Sequence, residues 1–115
     1  MNRLFVQQGH LVVGYTKYKV TQRLGFIHYL YIEPSYRSLG FAHQGLRDTE
    51  TYIRANNPQV DTLRFVTNID HYRNDFLQDL AFKHGYMPMS SSTVHFGYPL
   101  ERVVFEKRIN MHKTI

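Results

Sequence analysis

Residues 32–46, IEPSYRSLGFAHQGL, put the end of an apolar strand, a proline, a basic turn and the start of a helix side by side. Gly40 stands at the junction, with Arg37 before it and the small Ala42 after it. A loop from a central strand into a helix presents backbone N–H groups that lack helical partners, and the helix dipole favours negative charge there. Gly40 lets a ligand approach the backbone, Ala42 leaves the first turn uncovered, and Arg37 adds a cation at the mouth. Such a loop suits a pyrophosphate. It is equally a plain helix start, and the flanking chain decides between the two.

Upstream, residues 4–7 read as a short strand ended by Gly9-His10. Residues 11–20 follow, with Val13, Tyr15, Lys17 and Lys19 on one face and Val12, Gly14, Tyr18 and Val20 on the other. A hairpin turn spans 21–25. Residues 26–32 are apolar on both faces, Phe26, Leu30 and Ile32 with His28 against Ile27, Tyr29 and Tyr31. A strand of that kind lies in the middle of a sheet and is covered by helices on at least one side.

Downstream, residues 41–55 predict a helix with Ala42, Leu46, Thr49 and Ile53 on one stripe, stopped by Asn56-Asn57-Pro58. Residues 62–68 predict a strand. Strand, helix, strand in this order implies a right-handed crossover and parallel pairing. A second helix is expected over 72–84, with Gly85 as its C-terminal cap behind Lys83 and His84. Residues 86–90 and 93–109 read as strands joined by turns at 90–92 and Tyr98-Pro99. The order β-β-β-α-β-α-β-β predicts a mixed α/β, mostly antiparallel sheet with one central parallel β-α-β step, in a single domain spanning 1–115.

Here the chain resembles the GCN5-related N-acetyltransferases. Their signature, Gln/Arg-x-x-Gly-x-Gly/Ala, is matched by Arg37-Ser38-Leu39-Gly40-Phe41-Ala42, after an apolar-x-Pro step (Ile32-Glu33-Pro34) and Tyr36. Their second motif, Asn, an amphipathic helix, then Gly-Phe or Gly-Tyr, is matched by Asn74 through Leu80 to Gly85-Tyr86. The resemblance covers roughly residues 11–109. It implies an acyl-CoA N-acyltransferase-like fold that binds acetyl-CoA in the splay between the two parallel strands. The pyrophosphate is then held by the amides of Arg37, Ser38, Leu39, Gly40, Phe41 and Ala42. The pantetheine arm pairs with the backbone of the strand through Leu30, Tyr31 and Ile32, and Asn74 reaches the cofactor from the second helix. The implied reaction is direct transfer of acetyl to an amine on a small molecule or protein, with a base and an acid moving protons.

Three features depart from the family pattern. The general-acid tyrosine of many members falls four residues before the second-motif glycine, where this chain has Ala81 beside Phe82; Tyr86 or Tyr72 is the substitute. The chain also starts late, without the usual strand and two helices of the acceptor wall, so the substrate side is expected to be open, supplied by another subunit or absent from a degenerate protein, and exposed strand edges there would favour a homodimer. Finally, Gly45 falls in the crossover helix at a position usually apolar, costing up to about 1 kcal/mol against Ala. It serves close helix–sheet contact, or the helix is weak there. The alternative function is a non-catalytic protein that keeps the cofactor cleft, or only the fold, and acts through a partner.

Composition narrows the rest. The chain has 115 residues, 43% of them hydrophobic, 20% charged and 15% aromatic, with nine Tyr, eight Phe and no Cys. These values fit a soluble globular chain with one hydrophobic core and exclude disulfides and thiolate chemistry. No apolar run nears the roughly 20 residues of a membrane span, the N-terminus is not a signal peptide, and the expected location is the cytoplasm. Net charge is +5, with a sequence pI near 9.6. The charges are scattered, so they read as a solvated basic surface rather than a nucleic-acid footprint, although "YTKYK" (15–19) interleaves aromatics and cations.

Glu33 is the carboxylate nearest the implied thioester and the candidate base, while His28 reads first as a core residue. The seven histidines have no pair at helical metal-ligand spacing, so no metal is expected. Ser90-Ser91-Ser92 reads as a polar turn.

Overall fold

The computed structural model describes residues 2–69, 74–89, 92–95 and 99–109. Alternating sequence becomes an antiparallel meander at the N-terminus: β1 (Asn2–Gln8), β2 (Leu11–Thr21) and β3 (Leu24–Ile32). A 3-10 turn over Pro34–Tyr36 leads into α1 (Phe41–Asn56), followed by β4 (Thr62–Ile69), α2 (Asn74–Lys83), β5 (Met87–Pro88), β6 (Ser92–His95) and β7 (Pro99–Arg108). The sheet order is β1-β2-β3-β4-β7-β5, with β6 also paired to β7. Among the described strands only β3 and β4 run parallel, so the mixed α/β architecture and its one parallel step are as expected.

Both helices pack on one face of this sheet. Leu46 and Ile53 of α1 and Leu80 and Ala81 of α2 share one buried cluster with Ile27, Leu63, Phe65, Tyr86 and Phe105. A second cluster joins Val6, Val13 and Ile32 to Phe41 at the start of α1. At Gly45 the helix touches the sheet: a Cβ there would stand 2.8 Å from Val6 Cγ2 and 3.2 Å from Leu30 Cδ1. Of the two readings of Gly45, close contact is the one the packing bears out. One turn on, the Thr49 hydroxyl donates to the Gly45 carbonyl at 2.8 Å, so Thr16 is the donor in the 2.6 Å contact between the two threonine hydroxyls.

The elements end as their residues dictate. Asn57 N–H closes α1 on the Ile53 carbonyl at 2.9 Å. Gly85, at φ 86°, ends α2 in a Schellman arrangement: Tyr86 N–H reaches Ala81 O and Gly85 N–H reaches Phe82 O, both at 3.0 Å. The expected start of this helix at Tyr72, and the turn residues Ser90, Ser91 and Tyr98, lie outside the described residues. Pro99, expected in a turn, opens β7, where the first strand position tolerates a missing N–H.

Two face assignments are corrected. The β1–β2 ladder slips between Val6 and Gln7, skipping Val13, and the β2–β3 ladder slips between Lys17 and Tyr18, skipping His28. Each extra residue reverses the alternation beyond it. Val13 is therefore buried toward α1 while Val12 is exposed, and Ile27, Leu30 and Ile32 all pack against the helix layer. Phe26, Tyr29 and Tyr31 lie on the opposite face, the two tyrosines against Tyr15.

Candidate active site

The parallel ladder is short. It runs from Leu24↔Thr62 to Ile27↔Phe65 and stops. Both strands continue, β3 to Ile32 held by β2 and β4 to Ile69 held by β7, but they no longer pair with each other. The parting begins at Ile27, next to the extra residue His28, where the bulge disrupts the ladder and bends β3. Leu30, Tyr31 and Ile32 thus have no strand on their β4 side among the described residues. An open stretch of backbone donors and acceptors lines the gap, suited to an extended ligand carrying amides.

The quoted loop closes one end of this gap. Glu33 N–H bonds Val13 O at 2.8 Å, and Tyr36 N–H bonds Glu33 O at 2.8 Å, which turns the chain out of the sheet. Arg37 Nε donates to the Ile32 carbonyl at 2.7 Å and its guanidinium lies 5.6 Å from the Tyr31 ring centre. The arginine therefore pins the loop to the strand it leaves, besides carrying charge. Ser38 is left-handed at φ 67° and Gly40 at φ 88°, bracketing the exposed Leu39. Gly40 is the N-cap of α1, with no side-chain cap and no acidic residue in the first turn. The first N–H groups of α1, from Phe41 and Ala42 onward, are thus without helical partners. A Cβ on Gly40 would meet nothing within 4 Å, so the backbone faces open space. Tyr36 packs edge-on against Phe41, fixing the loop from the other side.

Of the other expected residues, Glu33 is exposed at the strand end, and Asn74 is the first residue of α2, directly after the segment that follows β4. The Asn74 side chain lies outside the described set, as does Tyr72. Ala81 is fully buried, and Phe82 packs edge-on to Phe105. Tyr86 differs from expectation: it is fully buried, and its hydroxyl donates to Glu50 Oε2 at 2.5 Å. Burial first, and then the Glu50 carboxylate, hold its pKa far above the usual tyrosine range.

Sequence reasoning missed Glu50. It sits in α1 with Oε1 accepting from Lys107 Nζ at 2.9 Å, while the same ammonium donates to the His84 carbonyl at 2.8 Å. The His84 imidazole touches that of His43 at 2.9 Å, and burial pushes its pKa below the ordinary value. The only signal was spacing: His43 and Glu50 are seven apart, on one side of α1. Among the described residues no three His, Asp or Glu converge on a metal position, and no helix is long and apolar enough to cross a membrane.

No protein-family model and no curated protein matches the sequence. Solved structures do. An N-acetyltransferase from Staphylococcus aureus superimposes with a TM-score of 0.76 at 18% identity, over 94% of this chain and 67% of that one. A GNAT-family acetyltransferase from Streptococcus pneumoniae gives 0.75 at 16% identity, over 94% and 66%. NAA60 from Arabidopsis thaliana, in complex with a bisubstrate analogue, gives 0.75 at 15% identity, over 89% and 68%. Meander, parted parallel strands, glycine loop and crossover helix together carry the same outcome as these superpositions: the fold of this chain is that of the GNAT acetyltransferases.

Proposed function

We propose that the chain is an acetyl-CoA-dependent N-acetyltransferase that moves an acetyl group directly to an amine on a small molecule or protein. One observation carries this reading: the gap between β3 and β4 opens onto an uncapped helix N-terminus whose glycine faces free space. The residues present fit the group. Amides from Arg37 to Ala42 would hold its pyrophosphate, the backbone of Leu30, Tyr31 and Ile32 its amide-bearing arm, and Asn74 would meet it from α2. When bound, acetyl-CoA supplies an activated thioester. Glu33, exposed at the end of β3, would take the amine proton directly or through water. Tyr86 is given a structural role, because its proton is committed to Glu50 in the core. Solvent entering the gap would supply the proton that the leaving thiolate needs.

The test is a thermal melt with and without acetyl-CoA. Ligand at a hundred times its dissociation constant adds about 2.7 kcal/mol, which raises the midpoint of a domain this size by roughly ten degrees. No shift at millimolar cofactor would overturn the reading. The second reading, a non-catalytic binding protein, is favoured by Ala81 standing where the resemblance calls for a tyrosine, with Tyr86 engaged elsewhere. Incubation with acetyl-CoA and a panel of amines separates the two, since tight binding without release of free thiol selects the second.

A further inference from the structure

Both helices lie on one face of the sheet, so among the described residues the opposite face of β1–β3 carries no helix. Its side chains are unusual for a solvated surface. Tyr15 stands between Tyr29 and Tyr31, ring centres 5.8 and 5.6 Å away. Phe5 and Tyr29 are 52% and 44% exposed. Three cations rest on this aromatic patch: Arg3 lies 4.5 Å from the centre of the Tyr15 ring, Lys17 5.6 Å from Tyr29 and Arg37 5.6 Å from Tyr31.

The charge is one-sided. Residues 1–32 contain Arg3, Lys17, Lys19 and Arg23 and no Asp or Glu; Arg23, in the turn between β2 and β3, is paired with Asp61 at 2.9 Å, which leaves Arg3, Lys17 and Lys19 on the strands. Arg3 and Lys17 are direct partners across the β1–β2 ladder. Like charges facing each other this way destabilise a sheet, and among the described residues no carboxylate pairs with either. The arrangement ends where β4 begins, since Arg64 is already paired with Glu106 at 3.1 Å. A face that gives up stability to keep unneutralised cations among exposed rings is built for an anionic occupant with flat groups. A second copy of the chain would bring like charge to like charge. An acidic peptide would use the cations and leave the ring faces without a purpose.

We propose that the helix-free face of β1–β3 is a platform for single-stranded nucleic acid, with bases stacking on Tyr15, Tyr29 and Tyr31 and phosphates met by Arg3, Lys17 and Arg37. Exposed cation–π contacts are weak, so Arg3 and Lys17 leave the rings when bases arrive and phosphates stand beside them, while Arg37 keeps its place on the Ile32 carbonyl. Alternate residues of β3 set Tyr29 and Tyr31 about 6.6 Å apart, room for one splayed base on each ring. The platform lies across the sheet from the helix layer, and its existence does not depend on acetyl transfer.

The test is fluorescence anisotropy of the intact chain with labelled 12-nucleotide single strands, RNA and DNA, a duplex of the same sequence, and polyglutamate as competitor. Either single strand should bind at least tenfold more tightly than the duplex. For three phosphates, the slope of log K against log salt should be about −2. Tyr15→Leu should weaken binding about tenfold with the salt slope unchanged. Arg3→Gln with Lys17→Gln should cut the slope to about −0.7. Thermal melts of the variants check that each is folded, and Tyr29→Leu repeats the ring test at a more exposed position. No binding at 50 mM salt overturns the platform, as does equal affinity for the duplex. Wild-type affinity in both tyrosine variants also overturns it, leaving charge alone. Displacement by polyglutamate at equal charge concentration would assign the face to an acidic protein instead. A preference for RNA or DNA supports the proposal and names the source. No acyl donor enters the assay, so its failure leaves the acetyltransferase reading untouched.

Discussion

At Gly40 a single backbone angle and an empty volume coincide, and they make opposite demands on a substitution. Space is free for any side chain, yet φ of 88° costs a non-glycine residue about 1–2 kcal/mol. Gly40→Glu should therefore fold with a slightly lower melting point and lose the midpoint rise given by acetyl-CoA, because its carboxylate would occupy the phosphate position. An undiminished rise would remove the loop from the site. Tyr86 gives the contrary case, a polar residue whose value lies in the core. Tyr86→Phe takes a hydrogen bond from the buried Glu50 carboxylate, and a bond to a charged group contributes about 1.5–3 kcal/mol. The unfolding free energy from urea titration should drop by that amount while acetyl transfer per folded molecule stays unchanged. A selective loss of turnover would restore Tyr86 as the acid.

At the scale of elements, α1 lies so close to the sheet that Gly45 has become part of the interface. Gly45→Ala gains up to about 1 kcal/mol of helix propensity, but its methyl meets Val6 at 2.8 Å and overpacking costs about 1–3 kcal/mol. A net loss near 1 kcal/mol in urea unfolding is expected, and Val6→Ala should be less harmful in the alanine background than alone. The strands, helices and parallel step were legible because hydrophobic period, Pro58 and Gly85 all act locally. The faces were not. Val13 and His28 are bulged by pairing partners far along the chain, and no alternation count within β2 or β3 shows the slip. The loop from Arg37 to Ala42 was legible for the same local reasons, and Glu50 was not, since its partners come from 36 and 57 residues away. The placing of charge was hidden likewise. Arg3 and Lys17 look scattered in sequence and become neighbours only when β1 and β2 pair.

Across the whole molecule, the cluster of Glu50, Tyr86, Lys107, His84 and His43 ties α1, the end of α2 and β7 together. It also sets a pH response. Burial lowers the folded-state pKa of His84 below the ordinary 6.5, so between the two values the folded chain binds fewer protons than the unfolded one. Stability from this group is full above 6.5 and is lost as pH falls toward the folded value. The melting point should fall between pH 7.5 and 5.5, and His84→Gln should flatten that part of the curve. An equal fall in the variant would assign the response elsewhere.

The four-pair parallel ladder has a mechanical meaning as well. It is the single seam between two plates, a meander of near neighbours in sequence and a second plate whose strands return from far along the chain. Such a seam is where slow breathing and first rupture under load concentrate, with the helix layer acting as a strap across it. Anything lodged between the plates becomes a keystone. Hydrogen exchange at the two plates, separate in rate when the gap is empty, would then merge into one.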